Sequence, residues 1–336
     1  MTEAQQYMRR ALELAALGQG QTGTNPMVGA VLVHKGRIIG EGYHHSYGQP
    51  HAEVMAVRSV TEPELLREAT LYVTLEPCAH YGKTPPCAEL ICTVGIPRVV
   101  VATLDPFPEV AGRGIERLRR AGIEVTLGVL EAEAWALNAP FFTAHTLHRP
   151  FVTLKWAQSL DAFMDSPRQD RSLAPVTFSS PLQQRSVHAA RMEHEAILVG
   201  YRTALLDDPQ LSNRLWYGRS PLRVVLDPQL QLPPELRLFS DAGAPTLIVH
   251  LEAARSRRRE GLDAARLSYL ALEGERIEPQ QLLQHLYADY GIQSLLVEGG
   301  GATLQRFVDS GLYDALCVEV SAQHLGEGVP APRLPR

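Results

Sequence analysis

A strong charge of either sign is missing from these 336 residues: 32 Lys and Arg stand against 37 Asp and Glu, a net charge of −5. Polynucleotide binding leans on clustered basic residues, so this balance gives no reason to expect nucleic acid. The one basic run, residues 255–259, is broken by Ser256 and followed by Glu260, as on a solvated helix face. No stretch approaches the roughly 18 apolar residues that a membrane span needs. The opening MTEAQQYMRRALELA lacks the basic-then-apolar layout of an export signal and reads as an amphipathic helix. Cysteine is scarce. Four in a chain of this length do not make a disulfide framework, and cytosolic thiols stay reduced and free to bind metal. There is no internal repeat and no low-complexity tract. These absences predict a cytoplasmic globular protein without membrane or nucleic-acid partners; phosphate recognition by a few placed side chains stays open.

What is present is an alternation of strand and helix. After the opening helix, strands are expected at 27–33 and 37–43, joined by a turn at Lys35-Gly36. A helix over 51–60, a strand over 69–75 and a helix from Pro86 toward Val94 follow. Then come a strand at 98–103, a helix at 112–121, a strand at 124–127, and one helix from 131 to about 145. A boundary is expected near His148-Arg149-Pro150, where a proline follows the long helix. Beyond it strands fall at 152–158, 196–199, 222–226, 245–249 and 294–297, with helices at 181–192 and 279–290. Two α/β domains of the usual size, about 100–200 residues each, fit this pattern: 1–146 and 150–336. The second resembles a dinucleotide-binding type.

The sharpest motif is His51-Ala52-Glu53, followed by Pro77-Cys78 and then Cys87. One imidazole and two thiolates can hold Zn²⁺ tetrahedrally and leave a fourth position for water, whose pKa zinc lowers toward ~7. Hydrolytic deamination also needs a carboxylate that is not a ligand, to carry a proton to the departing amine. Glu53, at the start of a helix beside His51, is placed for that. Eight residues, AHYGKTPP, separate the two cysteines, where nucleobase deaminases close them more tightly. A structural zinc with His80 as fourth ligand is the alternative, as is a capping histidine with two merely buried thiols.

The run TLEPCAHYGKTPPCAELI at 74–91 resembles, nearly residue for residue, the signature of the bifunctional riboflavin-biosynthesis deaminase/reductases. So do Thr24-Asn25-Pro26 with Val28-Gly29, the His-Ala-Glu block, and DPxPxVxGRG at 105–114. The resemblance implies a cytidine-deaminase-like three-layer α/β/α domain followed by a dihydrofolate-reductase-like α/β domain. It implies zinc on His51, Cys78 and Cys87, Glu53 as proton shuttle, and Asn25, His44, His80, Lys83 and Asp105 around the substrate. An Asn before proline is also an ordinary turn residue. Phe107 stands where the family usually shows Asn.

In the second half, Glu298-Gly299-Gly300-Gly301 follows an apolar strand and opens a helix, a geometry that admits phosphate to backbone N–H groups. Alone it is a weak sign. The segments VTLKWAQSLDA and AILVGYRTALLDDPQLSNR resemble the reductase half of the same family. That resemblance implies cofactor contacts from Lys155, Asp161, Thr203, Asp207 and the three glycines, with Arg214 and Glu298 at the substrate. Arg214 suits a phosphate through its bidentate fork, and equally a surface position. Two departures stand out: Ala162-Phe163 where the family has Gly and often a basic residue, and a C-terminus soon after LGEGVPAP. An alanine there is expected to crowd cofactor or substrate, and a final strand is expected to be missing.

The expectation is therefore zinc-dependent deamination of a phosphorylated ribosylaminopyrimidine, then reduction of its ribose with NADPH, with a homo-oligomer allowed. A deaminase whose second domain is only structural, and a nucleic-acid base deaminase, are the rivals; the charge and the long cysteine insert disfavour the latter.

Overall fold

The computed structural model describes residues 1–81, 85–107, 111–241, 243–259 and 266–335. The chain divides into two compact units, Met1–Leu147 and His148–Arg336. No helix among the described residues is long and apolar enough to cross a membrane.

Unit 1 runs α1 (Glu3–Ala16), β1 (Gly29–His34), β2 (Arg37–Tyr43), α2 (Ala52–Arg58), β3 (Thr70–Val73), α3 (Cys87–Val94), β4 (Arg98–Val101), α4 (Arg113–Arg120), β5 (Glu124–Leu127), α5 (Glu131–Leu137) and α6 (Ala139–Leu147). Thr2 and Gln5 close a capping box on α1. The sheet order is β2-β1-β3-β4-β5, with β1 antiparallel to both neighbours and the last three strands parallel. Strand β1 shows why its run is apolar throughout. Ala30 and Leu32 enter a core with α2, α3 and α4, while Val31 and Val33 enter a second core with α1 and α5. A strand buried on both faces has no polar side to alternate with.

The expected single helix over 131–145 is two. The chain breaks at Asn138, whose carboxamide accepts from Met27 N and donates to Met27 O, both at 2.8 Å. Pro140, with no N–H to leave unbonded, then fits the first turn of α6.

Unit 2 runs β6 (Phe151–Gln158), β7 (Phe163–Asp165), α7 (Pro181–Glu193), β8 (Ala196–Gly200), α8 (Tyr201–Asp207), β9 (Leu222–Leu226), α9 (Arg237–Ser240), β10 (Thr246–Leu251) and β11 (Leu267–Leu272). It closes with α10 (Pro279–Ala288), β12 (Ser294–Gly299), α11 (Gly301–Ser310), β13 (Ala315–Val320) and β14 (Val329–Pro330). Seven parallel strands lie in the order β11-β10-β9-β8-β12-β6-β13. In β8, Ala196 and Leu198 face one core while Ile197 and Val199 face the other. Each fully buried Leu, Ile or Val contributes roughly 1.5–3 kcal/mol, so both faces of this sheet stabilise the unit. Residues 329–330 pair with β7, so a short strand does follow LGEG.

The cost of Ala162 is in the backbone. This residue sits at φ 64° in the turn from β6 to β7, its N–H donating to Ser159 O at 3.1 Å and its carbonyl accepting from Ala331 N at 2.9 Å. The left-handed region is strained for any residue with a Cβ, which is a reason for glycine here quite apart from crowding. Ala162→Gly is expected to stabilise unit 2 by about 0.5–1 kcal/mol, relief of strain outweighing the added freedom of the unfolded chain. A shift of the urea midpoint upward at constant slope would show it; an unchanged or lower midpoint would mean that the turn is relaxed.

Candidate active sites

In unit 1 two short helices begin at the same place. His51 is the N-cap residue of α2, with an extended backbone (φ −69°, ψ 162°) and a ring left free of capping duty. Cys87 is the first residue of α3, after Pro86. Cys78 lies in the loop that leaves β3, and its carbonyl accepts from Ala88 N at 3.1 Å, tying the two cysteines together through the main chain. His51 Nδ1 lies 3.6 Å from Cys78 Sγ and 3.3 Å from Cys87 Sγ. Tetrahedral zinc, with bonds of roughly 2.3 Å to sulfur and 2.0–2.1 Å to nitrogen, places such S and N atoms about 3.6 Å apart. The donor set fits zinc in kind and in spacing, and these are the residues that could hold a metal among those described.

The electrostatics agree. A hydrogen bond from the Cys87 thiol, opposed by burial and helped by His51, holds Cys78 down at about 4. The Cys87 N–H also donates to Cys78 Sγ at 3.3 Å. Cys87 itself is pushed up, first by its bond to Cys78 and then by burial. The bond to Cys78 raises His51 to about 9 against the pull of burial. Glu53, in the first turn of α2, is 3% exposed. Burial, reinforced by the negative Cys78, raises its carboxyl to about 6, the range in which a carboxylate both takes and returns a proton near neutral pH.

Asn25 and His44 meet each other beside this cluster. His44 Nδ1 lies 3.3 Å from Pro50 O, which can only accept, so Nδ1–H donates there and Nε2 accepts from Asn25 Nδ2 at 3.2 Å. The His44 ring stands edge-on to His51 at 5.8 Å, and burial lowers its pKa. Asp105 is nearly buried, and burial pushes it up to about 6 although Phe107 N–H donates to it at 2.8 Å. His80 is exposed, and its charge acts on Asp105. Phe107 turns its ring to His145, at 5.4 Å. Lys83 lies outside the described residues.

Two residues escaped the sequence reading. Glu76, 4% exposed, accepts from the backbone N–H of Gly112 and Gly114 at 2.9 Å, Ile115 at 3.2 Å and Asp105 at 3.4 Å. Helix α4 is capped by Gly112, which has no side chain to offer, so the carboxylate next to the Pro-Cys pair takes over its first turn. A Cβ on Gly114 would lie 2.0 Å from Pro77 O, so the approach needs glycine. The absence of any capping side chain in Gly-Arg-Gly was the available signal. The other is Asn138, which pins the residue two positions after Asn25.

In unit 2 a cavity of about 740 Å³ opens at the carboxyl ends of the parallel strands, where α/β sheets place ligands. It is lined by Lys155, Thr203, Asp207, Arg214, Glu298, Gly300 and Gly301. Gly300 takes φ 77°, and its neighbour Gly301 begins α11. Gly299 faces Thr203 instead of the cavity: a Cβ there would lie 3.0 Å from Thr203 Cγ2. Asp161 is also absent from the lining. It accepts from Leu325 N at 3.1 Å and Gly326 N at 2.8 Å, bonds that with Ser159 hold its pKa well below the usual range. Ala162 does not line the cavity either, so the expected crowding is not seen.

Two arginines missing from the sequence reading organise the lining. Arg191 grips Glu298 with two bonds, 3.1 and 2.6 Å, and reaches Ser212 O at 3.2 Å. Burial works to neutralise Glu298, but Arg191 prevails and holds it below the normal carboxylate range. Arg168 binds Asp165 at 2.7 Å and also Asp207. His188, 4% exposed, accepts from Arg214 N at 3.0 Å and so fixes the segment that carries Arg214.

The comparisons agree with both halves. Residues 1–103 match the cytidine and deoxycytidylate deaminase zinc-binding region, and residues 150–334 the RibD C-terminal domain. Riboflavin biosynthesis protein RibD of Aquifex aeolicus is 43% identical over 329 residues, covering 96% of this chain and 88% of the relative. The Escherichia coli protein of that name is 36% identical, over 95% of this chain and 88% of its own. A solved diaminohydroxyphosphoribosylaminopyrimidine deaminase/5-amino-6-(5-phosphoribosylamino)uracil reductase of Thermotoga maritima superposes with a TM-score of 0.85. It is 40% identical, over 98% of this chain and 89% of that one. Acinetobacter baumannii RibD gives 0.86 at 36% identity, over 98% and 89%.

Proposed function

We infer the chemistry from one premise: this chain belongs to the RibD family of bifunctional riboflavin-biosynthesis enzymes. Its first half is a cytidine-deaminase-like zinc domain and its second an NADPH-dependent, dihydrofolate-reductase-like domain. The domains are assigned to 1–146 and 150–336. The substrate is a 2,5-diamino-6-ribosylamino-4(3H)-pyrimidinone 5′-phosphate, deaminated first and then reduced at its ribose. The observation that carries the reading is the His51–Cys78–Cys87 cluster with Glu53 buried beside it.

His51, Cys78 and Cys87 would hold zinc, which when bound would supply Lewis acidity and lower the pKa of a water. Glu53 takes a proton at its carboxylate and hands it to the departing nitrogen, a transfer that its raised pKa favours. Asn25, oriented by His44, presents its remaining carboxamide oxygen to the ring's donors. Asp105 shapes the pocket, and His80 and Lys83 meet the ribose phosphate. In the second half NADPH supplies the hydride. Arg214 takes the substrate phosphate, Glu298 receives the ribose end, and Gly300 and Gly301 admit the cofactor's pyrophosphate to the start of α11. Lys155, Thr203 and Asp207 flank the cofactor, while Gly299 and Asp161 act through Thr203 and the 325–326 turn.

A coupled assay tests the order. With the diaminopyrimidine phosphate and NADPH in one cuvette, ammonia is expected to appear before NADPH is consumed. Ammonia release with NADPH untouched would leave the second half structural. No ammonia from zinc-loaded protein would overturn the substrate assignment.

A further inference from the structure

The cavity in unit 2 holds more positive charge than its own carboxylates meet. Lys155, Arg168, Arg191, Arg202, Arg214 and Arg306 all line it. Arg168 and Arg191 are committed to Asp165, Asp207 and Glu298, and Lys155 acts electrostatically on Glu298. The other three make no ion pair among the described residues, Arg214 feeling, of the carboxylates, only the charge of Asp241. Arg202 donates to Arg168 O at 3.0 Å and Arg214 to Ser212 Oγ at 3.1 Å, and Arg306 only reaches Ile277 O at 3.5 Å. Arg214 is accounted for by the substrate phosphate. Arg306, exposed and with most of its five donors unengaged, has no role in the chemistry above.

Its place in the fold gives it one. The cavity spans the ends of β9, β8, β12 and β6, neighbours in that order, and so about 14 Å of sheet at roughly 4.8 Å per strand. The glycine turn after β12 stands near the middle. Glu298, the residue before those glycines, marks the side assigned to substrate. Helix α11 leads the other way: Thr303 meets Gly200 at the end of β8, where a Cβ would lie 2.4 Å from its Oγ1. Arg306, three residues on, shares that helical face. It lies five positions beyond Gly301, about 7.5 Å along the axis. Leu226, Pro228 and Ile277 supply an apolar wall to the same cavity, suited to a purine. A dinucleotide whose pyrophosphate sits at the glycine turn thus carries its adenosine ribose toward Arg306.

We propose that Arg306 binds the 2′-phosphate of the dinucleotide and is the residue by which this chain selects NADPH over NADH. A guanidinium fork matches a phosphate's paired oxygens. Recognition of an unmodified ribose instead uses a carboxylate on its 2′-hydroxyl. The cavity's three carboxylates, Asp165, Asp207 and Glu298, are all held by Arg168 or Arg191.

The inference rests on the cofactor reading above, and binding measurements separate the two. NADP⁺ and NAD⁺ differ only in the 2′-phosphate, so each is titrated calorimetrically into the zinc-loaded full chain and into Arg306→Gln. NADP⁺ is expected to bind wild type at least about tenfold tighter, the value of a charge-assisted contact. Arg306→Gln should lose that preference while its NAD⁺ affinity, which reports an intact pocket, stays unchanged. Arg306→Lys should keep part of it. A preference that survives in Arg306→Gln overturns the proposal and leaves the cofactor reading standing, as does an equal loss of both nucleotides. If wild type binds neither, the cofactor reading and the proposal fall together.

Discussion

Glu53→Gln is expected to retain its zinc and lose deamination by about 10²–10⁴-fold, the usual contribution of a positioned acid–base group. The substitution keeps size and a hydrogen-bonding head but removes the ability to accept and return a proton. Glu53 is fully enclosed and lies two residues from a ligand without being one, so metal content and chemistry should separate. Zinc per chain by emission spectroscopy should equal wild type, while ammonia release collapses. Reduction of the already deaminated intermediate is the internal control and should run at the normal rate. A variant that still deaminates at wild-type speed would remove Glu53 from the mechanism; one that loses zinc would make its part structural.

Removing the Glu76 carboxylate should have the largest effect on stability. Glu76→Ala leaves four N–H groups without their acceptor, three of them bonded within 3.2 Å. Leaving a buried donor without its acceptor costs about 1–3 kcal/mol, so losing the shared acceptor of several N–H groups takes a large part of a domain's margin. The residue also joins the loop that carries Cys78 to the start of α4, so zinc affinity should fall by about 10–100-fold, as when a ligand's supporting shell is cut. Urea unfolding of unit 1 and competition for zinc with a chelator measure the two losses. A coincident unfolding curve would show that water satisfies the first turn of α4 equally well.

Residues that must be one chemical type were legible before any coordinates. Only a few side chains bind zinc, so His51, Cys78 and Cys87 announced themselves, and the strands of unit 2 followed from their apolar runs. Supporting residues did not, because many types could occupy their positions. Glu76 reads as one more acidic residue until four N–H groups are seen around it. Asn138 breaks a helix whose pattern of side chains reads through without interruption, since its effect depends on Met27, 111 residues away in sequence. Ala162 drew notice as a departure, but whether the cost fell on a ligand or on the backbone could be settled only by its φ angle. Asp161 was assigned to cofactor from the motif around it, and the structure instead sets it on the 325–326 turn.

The hydrogen bonds within the zinc cluster also govern how metal enters it. The bonds to Cys78 push both His51 and Cys87 up, toward the protonated forms that a metal must displace. Because ligands bind metal only when deprotonated, zinc uptake releases protons. Loading therefore strengthens as the medium becomes more alkaline and weakens as it acidifies, so the supply of active enzyme answers to pH through metal occupancy as well as through the chemistry.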